Sequence, residues 1–443
     1  MLTAHPDAAI RHALLQRIVD ARRITDRLFE LIHPDSIYRR PIHERHRIIF
    51  YIGHLEAFDW NLLQPRLPGV KIFDGVLDQL FAFGIDPLET NGLPADQPED
   101  WPPLADVHEY VRRVRESLDA AIEKYSFAEW AGDQNPATLL QVAIEHRLMH
   151  AETLAYIVHQ LPYDQKFSLP QPVVDSARPP RCELLDVPAG SVTLGLRSED
   201  GKSFGWDNEY EAFRTDVPSF AIDRYKVTNG QFLAFIADDG YSDESLWTPS
   251  DWAWITQNKI GHPLFWTPLA EGWRYRGMFQ EIELPLDWPV YVSQAEARAY
   301  AFWAGKTLPT EAQWQRAAYG TPEGVDRAFP WGEDPPDARH GYFDFERWDP
   351  FAVNAFPAAA SAFGVEQMLA NGWEWTSTPF GPFPGFKPFP FYEGYSANFF
   401  DGRHYVMKGG SPVTGASMLR SSFRNWFQPH YPYVYAGFRC VSR

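Results

Sequence analysis

At 443 residues, 45% hydrophobic and 22% charged, the chain can bury a large core, most simply as two domains, and is too apolar to be disordered. A formal charge of −18 sets it against a nucleic-acid backbone or an anionic membrane surface as partner, and no apolar run approaches the roughly 20 residues that cross a bilayer. Two cysteines, Cys182 and Cys440, are no disulfide framework for this length, and the first residues lack a signal-peptide apolar segment, so a reducing cytoplasm is the expected location.

The N-terminal part carries a helical pattern. Apolar residues at 3.6-residue spacing (Ile10, Leu14, Leu15, Ile18, Leu28, Leu31, Ile32) predict a first helix over 8–32, and further helices are predicted over 48–63, 105–125 and 136–160. Pro136 falls in the first turn of the last one, where its missing N–H costs little. Four helices with long crossovers suggest a bundle, assigned to residues 1–168. A Pro-rich stretch without helical periodicity, 169–181, reads as a linker.

Beyond it, in 182–443, the texture changes. Short apolar runs at 191–196, 220–227, 290–292, 405–408 and 437–441 predict strands between long loops rich in Gly, Pro and Trp. Capping boxes, Ser293 with Glu296 and Thr310 with Gln313, predict helices over 293–303 and 310–319. The second domain is therefore expected to be α+β with little regular structure.

His146 and His150 stand four residues apart on the predicted fourth helix, so both imidazoles leave one face about a turn apart. Leu139, Val142, Ala143, Leu154, Ile157 and Val158 around them turn that face inward. Two buried imidazoles repel if protonated, and a shared cation removes the conflict. His54, on the second helix behind Gly53, is a third candidate, since facing helices of a bundle are where metal sites are built. Three neutral imidazoles with open positions suit zinc or iron(II), and spacing does not choose between them. The remaining histidines, His159 and His340 among them, are expected in surface roles.

Two resemblances arise from these motifs. One His on an early helix followed by His146-Arg147-Leu148-Met149-His150-Ala151-Glu152 resembles the DinB-type bundle, whose three histidines bind a divalent metal. The second half resembles the formylglycine-generating-enzyme (sulfatase-modifying-factor) fold, which is related to C-type lectins. Its markers are Tyr225-Lys226-Val227-Thr228-Asn229, the run 289–320, Pro330-Trp331-Gly332, Asn371-Gly372-Trp373-Glu374-Trp375, Lys408-Gly409-Gly410-Ser411 and Gly437-Phe438-Arg439. The two modules in this order are similar to the sulfoxide synthases of ergothioneine and ovothiol biosynthesis and to the selenoneine synthase branch.

That resemblance implies an iron(II) enzyme that uses O2 to join sulfur or selenium to the imidazole carbon of hercynine. Its metal ligands map to His54, His146 and His150. Tyr392 is implied as proton donor, with Tyr395 beside it, and Asn425 and Trp426 as contacts of hercynine. The aromatic-rich segment 379–400 could cage the quaternary ammonium of that betaine. Glu374 reads instead as a structural carboxylate.

The sequence also departs from the pattern. Members that use γ-glutamylcysteine have Asp and Arg where Phe427 and Tyr431 stand here, and Gln at Met149; a further bundle Arg has no counterpart, since 72–110 contains no Lys or Arg. A dianionic donor needs guanidinium partners. Phe427, Tyr431 and Met149 would line a pocket for a less charged donor, which leans the reading toward a selenosugar and selenoneine formation. The alternative is an ergothioneine-type sulfoxide synthase using γ-glutamylcysteine or free cysteine, whose one carboxylate Lys387 or Arg424 could meet. Less favoured are a formylglycine-generating oxidase, for which the cysteines lack a matching context, a carbohydrate-binding module without catalysis, and a zinc-dependent DinB-type thiol transferase.

Overall fold

The computed structural model describes residues 6–82, 96–170, 178–198 and 204–442. The chain divides into two compact units, Met1–Pro170 and Gln171–Arg443. Of the expected linker, residues 171–177 lie outside the described residues, as do 83–95 of the cation-free stretch.

The first unit contains α1 (Pro6–Glu30), α2 (Ile48–Leu63), α3 (Gly75–Leu80), α4 (Leu104–Lys124) and α5 (Pro136–Gln160). Four of these follow the predicted helices. On α4 the buried residues Val107, Tyr110, Val114, Leu118, Ala121 and Ile122 form one stripe, the mark of a helix lying on a core. By contrast α2 and α5 are buried almost all round and make that core, with α1 packed on α5 and α4 on α2. Each fully buried Leu or Ile there contributes roughly 1.5–3 kcal/mol. Asn135 starts α5 by accepting a hydrogen bond from the Ala137 N–H at 2.9 Å, with Pro136 in the first turn.

The short helix α3 departs from the expected pattern. Six residues are too few for a periodic signal, and its stability comes from side chains instead. Asp74 caps it by accepting from the Leu77 N–H at 3.0 Å, and Asp78 accepts from Trp60 Nε1 at 3.1 Å and Tyr110 Oη at 2.7 Å. It is thereby tied to both α2 and α4.

Buried charges fix the register of the bundle. Arg147 of α5, 1% exposed, reaches Glu56 at 3.0 Å and Asp59 at 2.7 Å, both on α2. Arg115 of α4 bridges Glu56 and Asp26 at 2.7 Å each, and Arg22 of α1 pairs with Asp119 of α4 at 2.7 Å. Glu56 and Arg147 flank the histidine positions on their helices.

The second unit opens with β1 (Leu184–Val187), β2 (Gly190–Leu194), β3 (Phe213–Val217) and β4 (Phe220–Asp223). Helices α6 (Asn229–Ala237) and α7 (Pro249–Asn258) follow, then β5 (Trp266–Pro268), β6 (Trp273–Arg276) and β7 (Glu281–Glu283). Next come α8 (Gln294–Trp303), β8 (Lys306–Thr307), α9 (Glu311–Tyr319), β9 (Gly372–Pro379), α10 (Gly394–Ala397) and β10 (Tyr405–Gly410). The chain closes with β11 (Asn425–Phe427), β12 (Ala436–Gly437) and β13 (Val441–Ser442). The sheets run β1-β4-β13-β8, β11-β10-β9-β12, β2-β3 and β5-β6-β7. The fold is α+β with short strands and long loops, as expected.

Both predicted capping boxes form, at Ser293/Glu296 and Thr310/Gln313, and a third at Thr228/Gln231 starts the unpredicted α6. Two expected strands fail. Residues 290–292 are extended but not in a ladder, their N–H groups going to Val227 and Ala436 carbonyls. The expected strand 437–441 splits in two, because β12 pairs with β9 while β13 pairs with β4 and β8. At the crossover Arg439 turns inward onto Glu374 in two contacts, 2.6 and 2.9 Å, and Lys226 joins at 3.1 Å. Glu374 is fully buried in that cluster, so its role is structural.

Candidate metal centre and aromatic site

Helix geometry sets two of the three histidines side by side. His146 and His150 have their Nε2 atoms 3.1 Å apart, and His54 of α2 faces them with ring centroids 5.4 and 5.1 Å away. One ring nitrogen from each lies within 4.8 Å of the others. The ring planes are held by neighbours: Phe58 stacks on His146 at 3.4 Å and Phe50 on His54 at 4.8 Å. His54 Nδ1 lies 2.7 Å from the Phe81 carbonyl, an acceptor only, so that nitrogen carries the proton and Nε2 keeps its lone pair. That Nε2 is buried without a hydrogen-bond partner.

Burial lowers the pKa of His54 to about 4, against the Phe81 hydrogen bond, which raises it. His146 and His150 are pushed well below the usual histidine value, first by burial, then by the repulsion that protonation beside the other histidines of the cluster would bring, and then by nearby arginines. The site therefore presents three neutral nitrogens and, among the described residues, no carboxylate or thiolate in the cluster. That donor set fits zinc or iron(II). A consequence concerns the metal-free protein. The unfolded chain takes up protons on these histidines below about pH 6.5, while in the folded one His54 resists down to about pH 4 and His146 and His150 also resist, so stability falls as pH drops below about 6.5. Melting of the metal-free protein at pH 7.5 and pH 5 checks this, and equal melting temperatures would show that the imidazoles are not buried neutral.

Met149 lies half-buried on α5, one residue before His150. The other predicted residues belong to the second unit. Tyr392 and Tyr395 stand 5.4 Å apart at α10, and Tyr395 stacks on Trp206 at 4.0 Å. Trp426 stacks on Phe380 at 4.1 Å and meets Tyr395 edge-on at 5.5 Å, with Phe399 at 5.7 Å. Tyr392, Tyr395 and Trp426 thus share one aromatic cluster. Asn425 and Phe427 lie on the opposite face of β11 from Trp426, because side chains alternate along a strand. Phe427 stacks on Tyr431 at 5.0 Å in a separate pair.

Sequence reasoning misses what holds α10 in place. Ser396 donates to Asp207 and accepts from Asn208 Nδ2 at 3.0 Å, all three buried. The contact spans nearly 190 residues of chain, and no local pattern announces it. Arg424, a candidate carboxylate partner by sequence, is 3% exposed, grips Glu311 at 2.9 and 3.1 Å and donates to Gly381 O at 3.0 Å. Its donors are spent on the fold, whereas Lys387 is exposed. His159 and His340 are also not surface residues: both are buried, His340 stacked on Trp331 at 4.1 Å.

Comparison with known proteins gives the same two modules. Residues 17–154 match the DinB superfamily, and residues 171–443 match the sulfatase-modifying factor enzyme 1-like domain. A hercynine oxygenase of Mycolicibacterium thermoresistibile is 33% identical over 97% of this chain and 94% of its own length. One from Mycolicibacterium smegmatis is 42% identical, but over 57% of this chain and 59% of its own. Ergothioneine biosynthesis protein 1 of Neurospora crassa is 26% identical over 93% of this chain and 55% of its own length. These names stand with the sulfur alternative and lend no support to the lean toward a selenosugar. Among the described residues no helix is long and apolar enough to cross a membrane. A DinB-type bundle carrying a convergent histidine trio, continued by a sulfatase-modifying-factor domain and aligned almost end to end with a hercynine oxygenase, places the chain in the hercynine oxygenase family of ergothioneine biosynthesis.

Proposed function

We propose that this chain is an iron(II)- and O2-dependent cytoplasmic enzyme that joins the sulfur of a small thiol to the imidazole carbon of hercynine. The observation that carries the reading is the convergence of His54, His146 and His150 as three buried, neutral nitrogens in a chain aligned over 97% of its length with a hercynine oxygenase. Those residues would hold the iron, which supplies electrons and open coordination positions for O2 reduction. Written as sulfoxide formation, the imidazole C–H and the thiol S–H are lost and a C–S bond forms. One oxygen atom of O2 ends on sulfur, and the other leaves as water with the two hydrogens.

The remaining roles fall to this chain's side chains. The rings of Trp426, Tyr395 and Phe399 suit the trimethylammonium of hercynine, since a ring quadrupole attracts a desolvated cation, with Phe380 stacked behind Trp426. The Asn425 side chain accepts from the Trp426 N–H at 2.9 Å through Oδ1, and its amide N–H groups are the donors it has for a substrate group on the other face of β11 from the Trp426 ring. Tyr392, next to Tyr395, is the proposed proton donor. The Phe427–Tyr431 stack and the committed Arg424 favour a donor of low charge, cysteine over γ-glutamylcysteine; Met149, beside the iron ligands of the first unit, is likewise uncharged.

The test is a donor panel. Anaerobically reconstituted iron enzyme is given hercynine, O2 and, in separate reactions, cysteine, γ-glutamylcysteine or a selenosugar. Product from cysteine at least tenfold faster than from γ-glutamylcysteine is expected, a difference of about 1.4 kcal/mol. Product from the selenosugar alone would overturn the sulfur reading. No product from any donor, with iron bound, would overturn the function.

A further inference from the structure

Gly53 precedes His54 on α2, and a Cβ built on it would meet the Phe81 ring at 2.4 Å. The ring has no room to retreat, because Phe81 is fully buried with the rings of Phe50, Trp101 and Tyr110 packed within 6.4 Å. Phe81 also ends α3. Its N–H donates to the Leu77 carbonyl at 3.0 Å, and its own carbonyl accepts from His54 Nδ1 at 2.7 Å. A six-residue helix does not hold itself. Asp78 supplies the anchor, through Trp60 of α2 and Tyr110 of α4.

We propose that α3 is a positioning element for the metal centre, acting through Phe81 seated on Gly53. The inference rests on the metal reading above. His146 and His150 are aligned by sharing one helix, and their Nδ1 atoms have no hydrogen-bond partner. His54 comes from another helix and must be aimed. Stacking on Phe50 fixes its ring plane but does not distinguish the two nitrogen edges. The Phe81 carbonyl does: it holds the proton on Nδ1 and turns the Nε2 lone pair toward the other two histidines. The glycine before the ligand is required to admit a ring, so the aim of His54 is set by residues 74–81, distant from it in sequence.

The test uses the full chain and cobalt(II), whose visible absorption reports histidine coordination without oxygen chemistry. The unaltered protein is expected to bind one cobalt per chain. Gly53→Ala should bind it 10–100-fold more weakly, the range for outer-shell changes, with unchanged far-ultraviolet circular dichroism. Adding Phe81→Leu to Gly53→Ala should recover most of the affinity, because the smaller side chain accommodates the methyl group and lets the carbonyl return. Asp78→Asn leaves the space around Gly53 intact and should weaken cobalt binding in the same direction, which keeps the test open if Gly53→Ala fails to fold. Unchanged affinity in Gly53→Ala and Asp78→Asn would overturn the positioning role while leaving the metal site standing. So would a failure of Phe81→Leu to rescue. An unaltered protein that takes up no cobalt would overturn the metal reading itself, and the positioning role with it.

Discussion

Replacing His146 by alanine is expected to abolish stoichiometric metal binding and, with it, turnover. The loss should exceed the roughly 100-fold that outer-shell changes produce, because a donor atom itself is removed. Two nitrogens remain, on different helices, and no carboxylate or thiolate among the described residues joins the cluster to replace the third. The side chain lies under Phe58 at 3.4 Å, so alanine leaves a gap lined by an aromatic face, which offers a cation nothing. Metal content after anaerobic reconstitution, read beside turnover of hercynine, measures the effect. A variant that keeps one metal per chain and its activity would sink the assignment of the three histidines.

Arg147→Met should be the most damaging single change to the fold of the bundle. Burial alone would raise the pKa of Glu56, yet Arg147, Arg115 and Arg22 together hold it down at about 2. Asp59, raised by burial, relies on Arg147 at 2.7 Å. Removing the guanidinium leaves two carboxylates facing each other in the core with one fewer cation, and breaking a buried pair from one side costs about 3–5 kcal/mol. Urea denaturation at pH 7 measures it. A loss under about 1 kcal/mol would show that Arg115 and Arg22 suffice, and that the α2–α5 register does not depend on Arg147. Because this pair ties together the helices carrying His54 and His146, metal affinity is expected to fall along with stability.

Much of the metal centre is legible in the order of the residues. The i, i+4 spacing of His146 and His150 is a local fact of helix geometry, and the apolar residues around them state the inward face. The long helices are readable for the same reason, since 3.6-residue periodicity repeats over many turns. The capping boxes at Ser293 and Thr310 are readable because the signal spans four residues. The departures at Phe427 and Tyr431 are visible as letters, but their lean toward a selenosugar does not carry, because absent cations narrow a donor's charge without naming its chemistry.

What the sequence determined by itself, then, is whatever local periodicity and short-range hydrogen bonding encode: the bundle helices, the histidine pair, the caps and the α+β texture of the second unit. Tertiary structure alone decided the rest. It brought His54 to the pair, and it gave Gly53 its task, through a ring 28 residues along the chain. It spent Arg424 on Glu311 and locked α10 with Asp207, contacts spanning 113 and 189 residues. It split the last strand between two sheets to bury Arg439 on Glu374. The physical reason is common to all of these. A buried polar group must find its partner wherever the packed chain presents one, and the sequence pattern records that a partner is needed without recording which residue it is.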